Sequence, residues 1–154
     1  MNSIGLPKPQ THQIVEELNT LLTTYSVLYM NTRGFHWNIK GRDFFELHLK
    51  FEEIYNALAI QIDEIAERIL TLEGTPIHSY CNNVKFSLIE EKVNIKDGRE
   101  ALQSILDSYG TIIGKEREIL KLATEIDDEG TLSLMSDYIK LQEKEMWMYR
   151  SYLG

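Results

Sequence analysis

Five side chains able to bind a metal, His36, His48, Glu52, Asp63 and Glu67, fall within 32 residues that otherwise read as apolar and helical. Mixed imidazole and carboxylate donors suit iron, manganese or zinc rather than a soft thiolate site. Their spacing constrains how the chain folds and assembles. A helix rises about 1.5 Å per residue, so the stretch from His48 to Asp63 spans roughly 22 Å, too far for one ion to bridge. His48 and Glu52 are four apart and so are Asp63 and Glu67, which makes each pair neighbours on one helix face. At about 100° per residue with His48 at zero, Glu52 falls near 40°, Asp63 near 60° and Glu67 near 100°. All four share one arc, as two half-sites far apart. Phe44, Phe51, Leu58, Ile62, Ile65 and Ile69 form a neighbouring stripe that faces the subunit's own core. The ligand arc itself also holds Phe45, Ala59, Ala66 and Leu70, which is too apolar for a plain solvated face. An antiparallel two-fold partner brings one chain's His48/Glu52 end onto the other's Asp63/Glu67 end.

Elsewhere the pattern is that of an all-α chain. Ile14, Leu18, Leu21, Tyr25, Leu28 and Tyr29 recur at helical spacing and predict a first helix from about Thr11 to Ile39. Asp43 with Glu46 predicts a capping box at the start of the second, which stops near Gly74-Thr75-Pro76. The connection from Thr75 to Lys96 crosses the length of the bundle, and Ser87 with Glu90 is a candidate cap for a short helix inside it. Asp97 starts a third long helix to about Ile126, and Thr131 a fourth to Tyr152. Gly110 and Gly114 each cost roughly 1 kcal/mol inside a helix, which suggests close helix contact there. Two helical hairpins joined by one long crossover describe a ferritin-like four-helix bundle in a single domain over residues 1–154. No Glu-x-x-His occurs, which argues against a di-iron centre held inside one bundle.

Each residue alone has a plainer reading. His36 lies on the first helix's apolar stripe, where a histidine is usually a hydrogen-bonded core residue. Asp63 and Glu67 read as a solvated face and Arg68 as a surface cation. His12 and His78, without acidic partners at helical spacing in this reading, count as ordinary. Coincidence must explain all five spacings together, and that favours the metal site. The chain of 154 residues suffices for a sizeable core. It shows no apolar run of membrane-spanning length and no signal-peptide pattern, and its one cysteine, Cys81, suits a reducing cytoplasm.

The combined spacing resembles the ferroxidase region of the Dps family (DNA-binding proteins from starved cells), the small members of the ferritin-like superfamily. The residues that carry the resemblance are His36-Trp37, His48, Glu52 and Asp63-Glu64-Ile65-Ala66-Glu67-Arg68. Gly74-Thr75-Pro76 and Glu145-Met146-Trp147-Met148 also fit, and the likeness covers nearly the whole chain. Glu52 departs from the pattern, which more often has Asp there. The resemblance implies a hollow dodecamer that oxidises iron(II), preferably with hydrogen peroxide, and stores ferric mineral inside. It implies a ferroxidase site with two irons between subunits, no organic cofactor, and Trp37 beside the metals, whereas Trp147 reads as core. Glu53 is a candidate nucleation carboxylate. Asp127, Asp128 and Glu129 are candidates for lining a three-fold pore, with favourable charge at a helix N-terminus as the competing reading.

Twelve chains at −8 each carry about −96, a field that attracts cations. Two other classes stay open: a non-catalytic helical adaptor, and a di-manganese catalase-like enzyme that disproportionates peroxide without added iron(II). DNA affinity rests on Lys and Arg neutralising phosphates. The first ten residues hold one Lys and no Arg, and Gly154 directly follows the last helix, so DNA binding near neutral pH is expected to be weak or absent. A gel shift at low salt should leave duplex DNA free, and a tight complex would contradict this reading.

Overall fold

In a computed structural model describing residues 1–154, the chain forms five helices and no strand: α1 Lys8–Asn38, α2 Phe44–Thr71, α3 Tyr80–Phe86, α4 Gly98–Glu125 and α5 Glu129–Leu153. Helix α1 pairs with α2 and α4, and α5 packs on α4. Ile14, Leu18, Leu21, Tyr25 and Leu28 of α1 are buried, as are Phe51, Leu58, Ile65 and Ile69 of α2. Phe44 and Ile62 pack partly buried against the same core. Each Leu, Ile or Phe removed from water contributes about 1.5–3 kcal/mol, so these stripes decide which helix faces turn inward.

The crossover is strapped along α1 by three polar α1 side chains. Asn19 donates to the Thr75 carbonyl at 3.1 Å and accepts from the Ile77 amide at 2.8 Å. Further along, the Leu88 amide donates to Thr24 Oγ1 at 3.0 Å. Asn31, itself buried, donates to the Glu90 carbonyl at 3.0 Å and accepts from the Lys92 amide at 2.9 Å. The Lys40 amide then donates to the Lys96 carbonyl at 2.8 Å, joining the end of the crossover to the α1–α2 turn.

Several local expectations are corrected. Helix α1 begins three residues before Thr11, because Pro7 caps it and Pro9 sits in the first turn, where the missing N–H costs nothing. Asp43 occupies the N-cap of α2 but makes no side-chain cap bond, and Glu46 instead accepts the Tyr152 hydroxyl at 3.0 Å. The short helix is capped by Ser79, which accepts from the Asn82 amide at 3.2 Å. Ser87 ends that helix rather than starting one. Asp97 does cap α4, accepting from the Glu100 amide at 2.9 Å. Helix α5 starts at Glu129, two residues before Thr131. A Cβ on Gly110 or Gly114 would meet nothing within 4 Å, so neither glycine marks a close helix contact within the chain. Trp147 is 58% exposed rather than core, and His12 does have an acid at helical spacing, with Nε2 3.4 Å from Glu16.

A polar cluster crosses the middle of this apolar bundle. Tyr25 of α1 donates to Glu116 Oε1 of α4 at 2.5 Å, and Gln142 of α5 donates to the Tyr25 oxygen at 2.5 Å and to Glu116 Oε1 at 3.2 Å. Burial pushes the Glu116 carboxyl up to about 8, against the lowering effect of these two hydrogen bonds. Because the folded value lies above the unfolded one, the stability contributed by protonated Glu116 is complete below about pH 4.5 and is lost as pH rises through about 8. Thermal denaturation should therefore show wild-type Tm falling between pH 6 and 9. Glu116→Gln, which keeps the shape without the charge, should hold Tm flatter by on the order of 5 °C. Parallel curves would show that Glu116 does not titrate in the folded protein.

Candidate metal centre

The end of α1 meets the start of α2 through two histidines. His36 Nδ1 lies 2.6 Å from the His48 carbonyl, and His48 Nδ1 lies 2.7 Å from the His36 carbonyl. A carbonyl only accepts, so both rings carry their proton on Nδ1, and both Nε2 atoms keep a free lone pair. The His36 carbonyl belongs to the last turn of α1, where no following amide remains to satisfy it. His48 thus repairs a helix end while fixing its own tautomer. Such orientation by a backbone acceptor is the usual second partner of a metal-binding imidazole.

The rings stack at 3.8 Å between centroids with 10° between planes. Phe44 covers the other face of His48 at 4.8 Å, and the edge of Tyr55 meets His36 at 5.4 Å. His36 is buried and His48 half-buried. Neither Phe44 nor Tyr55 was singled out in the sequence as a site residue. Tyr55 had a signal, since it follows His48 by seven residues and so returns to the same face. Trp37 is 56% exposed beside this pair, and the Arg33 guanidinium lies 4.7 Å from its ring centroid. The same guanidinium is 5.5 Å from the Tyr29 centroid and 5.7 Å from that of Tyr55.

Glu52 is half-buried one turn beyond His48, while Asp63 and Glu67 stand exposed further down α2. No three His, Cys, Asp or Glu side chains of one chain come close enough together to hold a metal ion. The chain brings His36 and His48 together but leaves Asp63 and Glu67 at the other end of the helix. On the outward side of α2, Ile60 and Leu70 are 65% and 58% exposed, and Tyr80, 87% exposed, lines a groove with Met30, Ala59, Ile62 and Val84.

The remaining candidates separate. Glu53 is exposed but paired with Lys50, Oε2 to Nζ 2.6 Å, which partly neutralises a nucleation carboxylate. Asp128 is buried and caps α5, accepting from the Thr131 amide at 3.1 Å and from Arg68 at 2.5 Å. Both bonds fall on Oδ1 and Oδ2 has no partner within the chain, whereas Asp127 and Glu129 are exposed. Arg68 is likewise no ordinary surface cation, since its Nε also donates to Thr131 at 2.9 Å.

Residues 15–154 match the ferritin-like domain family. A DNA protection during starvation protein from Porphyromonas gingivalis is 40% identical over 148 residues, covering 96% of this chain and 93% of the relative. The crystal structure of a Dps protein from Vibrio cholerae O1, described as a member of the ferritin-like diiron-carboxylate superfamily, superposes with a TM-score of 0.98. It is 50% identical and covers all of this chain and 97% of that one. Dps from Staphylococcus aureus superposes at 0.89 with 29% identity, covering 93% and 96% of the two chains.

Proposed function

The chain belongs to the Dps proteins of the ferritin-like family, and on that premise we propose that it oxidises iron(II) at a site completed by two subunits and stores the ferric product. The observation that carries this reading is the reciprocal His36–His48 lock, which leaves two outward-ready Nε2 donors in a chain with no third ligand beside them. His36 and His48 hold the first iron together with Asp63 and Glu67 of the partner subunit. The carboxylate of Glu67 bridges toward a second iron, which Glu52 helps to position. The extra methylene of Glu52 relative to aspartate changes how tightly that second iron sits. The exposed apolar face of α1, α2 and α3 is the surface that the two-fold partner covers. Closed packing of such dimers gives a homo-oligomer, a dodecamer by family resemblance, with an interior for mineral.

Few ligands per iron leave open positions where an oxidant reaches the metal. With hydrogen peroxide as the preferred oxidant, two adjacent iron(II) ions each give one electron, the O–O bond breaks, and two protons complete two waters. Paired electrons avoid the hydroxyl radical that a single iron would release. The acidic surface draws iron(II) inward, with Asp127 and Glu129 as the entry acids, and Glu53 is the nucleation carboxylate if Lys50 yields it. DNA binding plays little part, and no organic cofactor is needed. For DNA, the formal charge of −8 supports this reading, and near the first helix Asn2 is buried and the Ser3 amide donates to Glu73 at 2.8 Å.

Anaerobic loading with iron(II) followed by a peroxide pulse tests this. Ferric absorbance should rise fast at about two irons per peroxide, with the product soluble and protein-bound. His36→Ala with His48→Ala should lower the rate by at least about tenfold while leaving assembly largely intact. Slow oxidation with precipitation, or unchanged oxidation in the double variant, would overturn the assignment. Rapid peroxide loss without iron(II) would point to the catalase-like alternative.

A further inference from the structure

One cation beside the histidine pair has no acid of its own. Arg33 takes part in none of the chain's ion pairs, although Glu91 lines the same groove. Its Nε is buried without a hydrogen-bond partner, and Nη1 donates to the Tyr29 hydroxyl at 3.3 Å. The guanidinium is surrounded by rings instead. Trp37, Tyr29 and Tyr55 have their centroids 4.7, 5.5 and 5.7 Å from its central carbon. Tyr29, Arg33 and Trp37 stand four residues apart along α1, which sets them on one face. Tyr55 belongs to α2, so the cation ties rings of two helices together. A planar guanidinium suits this place, because it stacks on aromatic faces and is more weakly hydrated than an ammonium.

Tyr55 carries this arrangement to the histidines. Its edge meets the His36 ring with 76° between planes, and on its other side it meets Tyr29 at 89°. The stack of Phe44, His48 and His36 therefore ends on Tyr55. The bond between Nδ1 and the His48 carbonyl fixes one atom of the His36 ring, and a single bond leaves the ring free to rock about it. Tyr55 is itself half-buried and lies outside the bundle core, so the core does not hold it in place.

We propose that Arg33 is a positioning residue for the half-site: it holds Tyr55 against His36 and so keeps the His36 Nε2 aimed at the metal position. The inference rests on the iron site proposed above, in which His36 is a ligand. Arg33 acts through Tyr55 and needs no contact with iron or oxidant. Trp37, the second helix-α1 ring on the same cation, reports whether the cluster is intact. Electrostatics alone gives the opposite expectation, since a nearby cation repels a divalent metal and its removal would tighten binding. Weaker metal binding on loss of the charge is thus the mark of positioning.

Cobalt(II) titration of the assembled, metal-free protein, followed by visible absorption, tests this. Arg33→Met keeps most of the side chain's bulk and removes the charge. It should weaken cobalt binding by about fivefold or more, as losing a group behind a metal ligand does. In a Tyr55→Leu background, where the wall is already gone, the same change should shift binding by less than about twofold. Trp147→Phe leaves Trp37 as the sole indole, and its near-ultraviolet circular dichroism, read without metal, should fall by about half in Arg33→Met. Arg33→Gln repeats each measurement if Arg33→Met fails to assemble. Cobalt binding that is unchanged or tighter in the Arg33 variant would overturn the proposal. Equal weakening with and without Tyr55, or an unaltered indole signal, would overturn it as well. Cobalt binding in His36→Ala/His48→Ala equal to wild type would instead remove the proposed iron site, and the indole signal alone would then decide whether Arg33 orders the rings.

Discussion

The length of an α-helix governs everything else in this protein. Fifteen residues of α2 separate His48 from Asp63, roughly 22 Å at 1.5 Å per residue, and α2 runs unbroken from Phe44 to Thr71. No bend of the chain can fold that helix back on itself to close a four-ligand site. The bundle's own core takes Phe51, Leu58, Ile65 and Ile69, which points the adjoining arc, with Asp63, Glu67 and their apolar neighbours, out of the subunit. On the proposed reading quaternary structure is part of the chemistry, with a second copy supplying the donors that each histidine pair lacks.

What one chain does finish is the geometry of its histidines. The orphan His36 carbonyl at the end of α1 and the His48 carbonyl early in α2 each accept a hydrogen bond from the other residue's imidazole, and Phe44 and Tyr55 close the ring stack. Both tautomers are set by the fold itself, so the proposed metal would find the two Nε2 atoms already free. The turn that allows this is held from behind by the Lys40–Lys96 bond, itself the end of a crossover strapped to α1 by Asn19, Thr24 and Asn31. The long connection thereby serves the site.

Periodicity made the fold legible from the sequence, because burial repeats every third or fourth residue along each helix and the connection from Thr75 to Lys96 between hairpins has one economical path. It also placed His48 and Glu52 together, and Asp63 with Glu67, since spacing on a helix converts directly into angle. Polar contacts across the fold were not legible. Arg68 and Asp128 are sixty residues apart, so nothing local distinguishes a buried clamp from a surface cation and an acidic run. Ser79 and Ser87 offer equal cap chemistry, and only the path of the crossover selects the first. Tyr25 and Glu116, 91 residues apart, each looked like routine members of their own helices. Trp147 was misread for a related reason, because a large aromatic at helical spacing can mark either a core or a face turned outward.

The most direct test of a site shared between subunits is complementation in mixed oligomers. One parent carries His36→Ala and His48→Ala, the other Asp63→Ala and Glu67→Ala, and each alone should oxidise iron poorly. After dissociation and random reassembly, half of the two-fold pairs are mixed, and each mixed pair regains one intact site of its two. Peroxide-driven iron oxidation should therefore return to about a quarter of the wild-type rate. Mixtures no more active than their parents would place all the ligands within one chain and contradict the account.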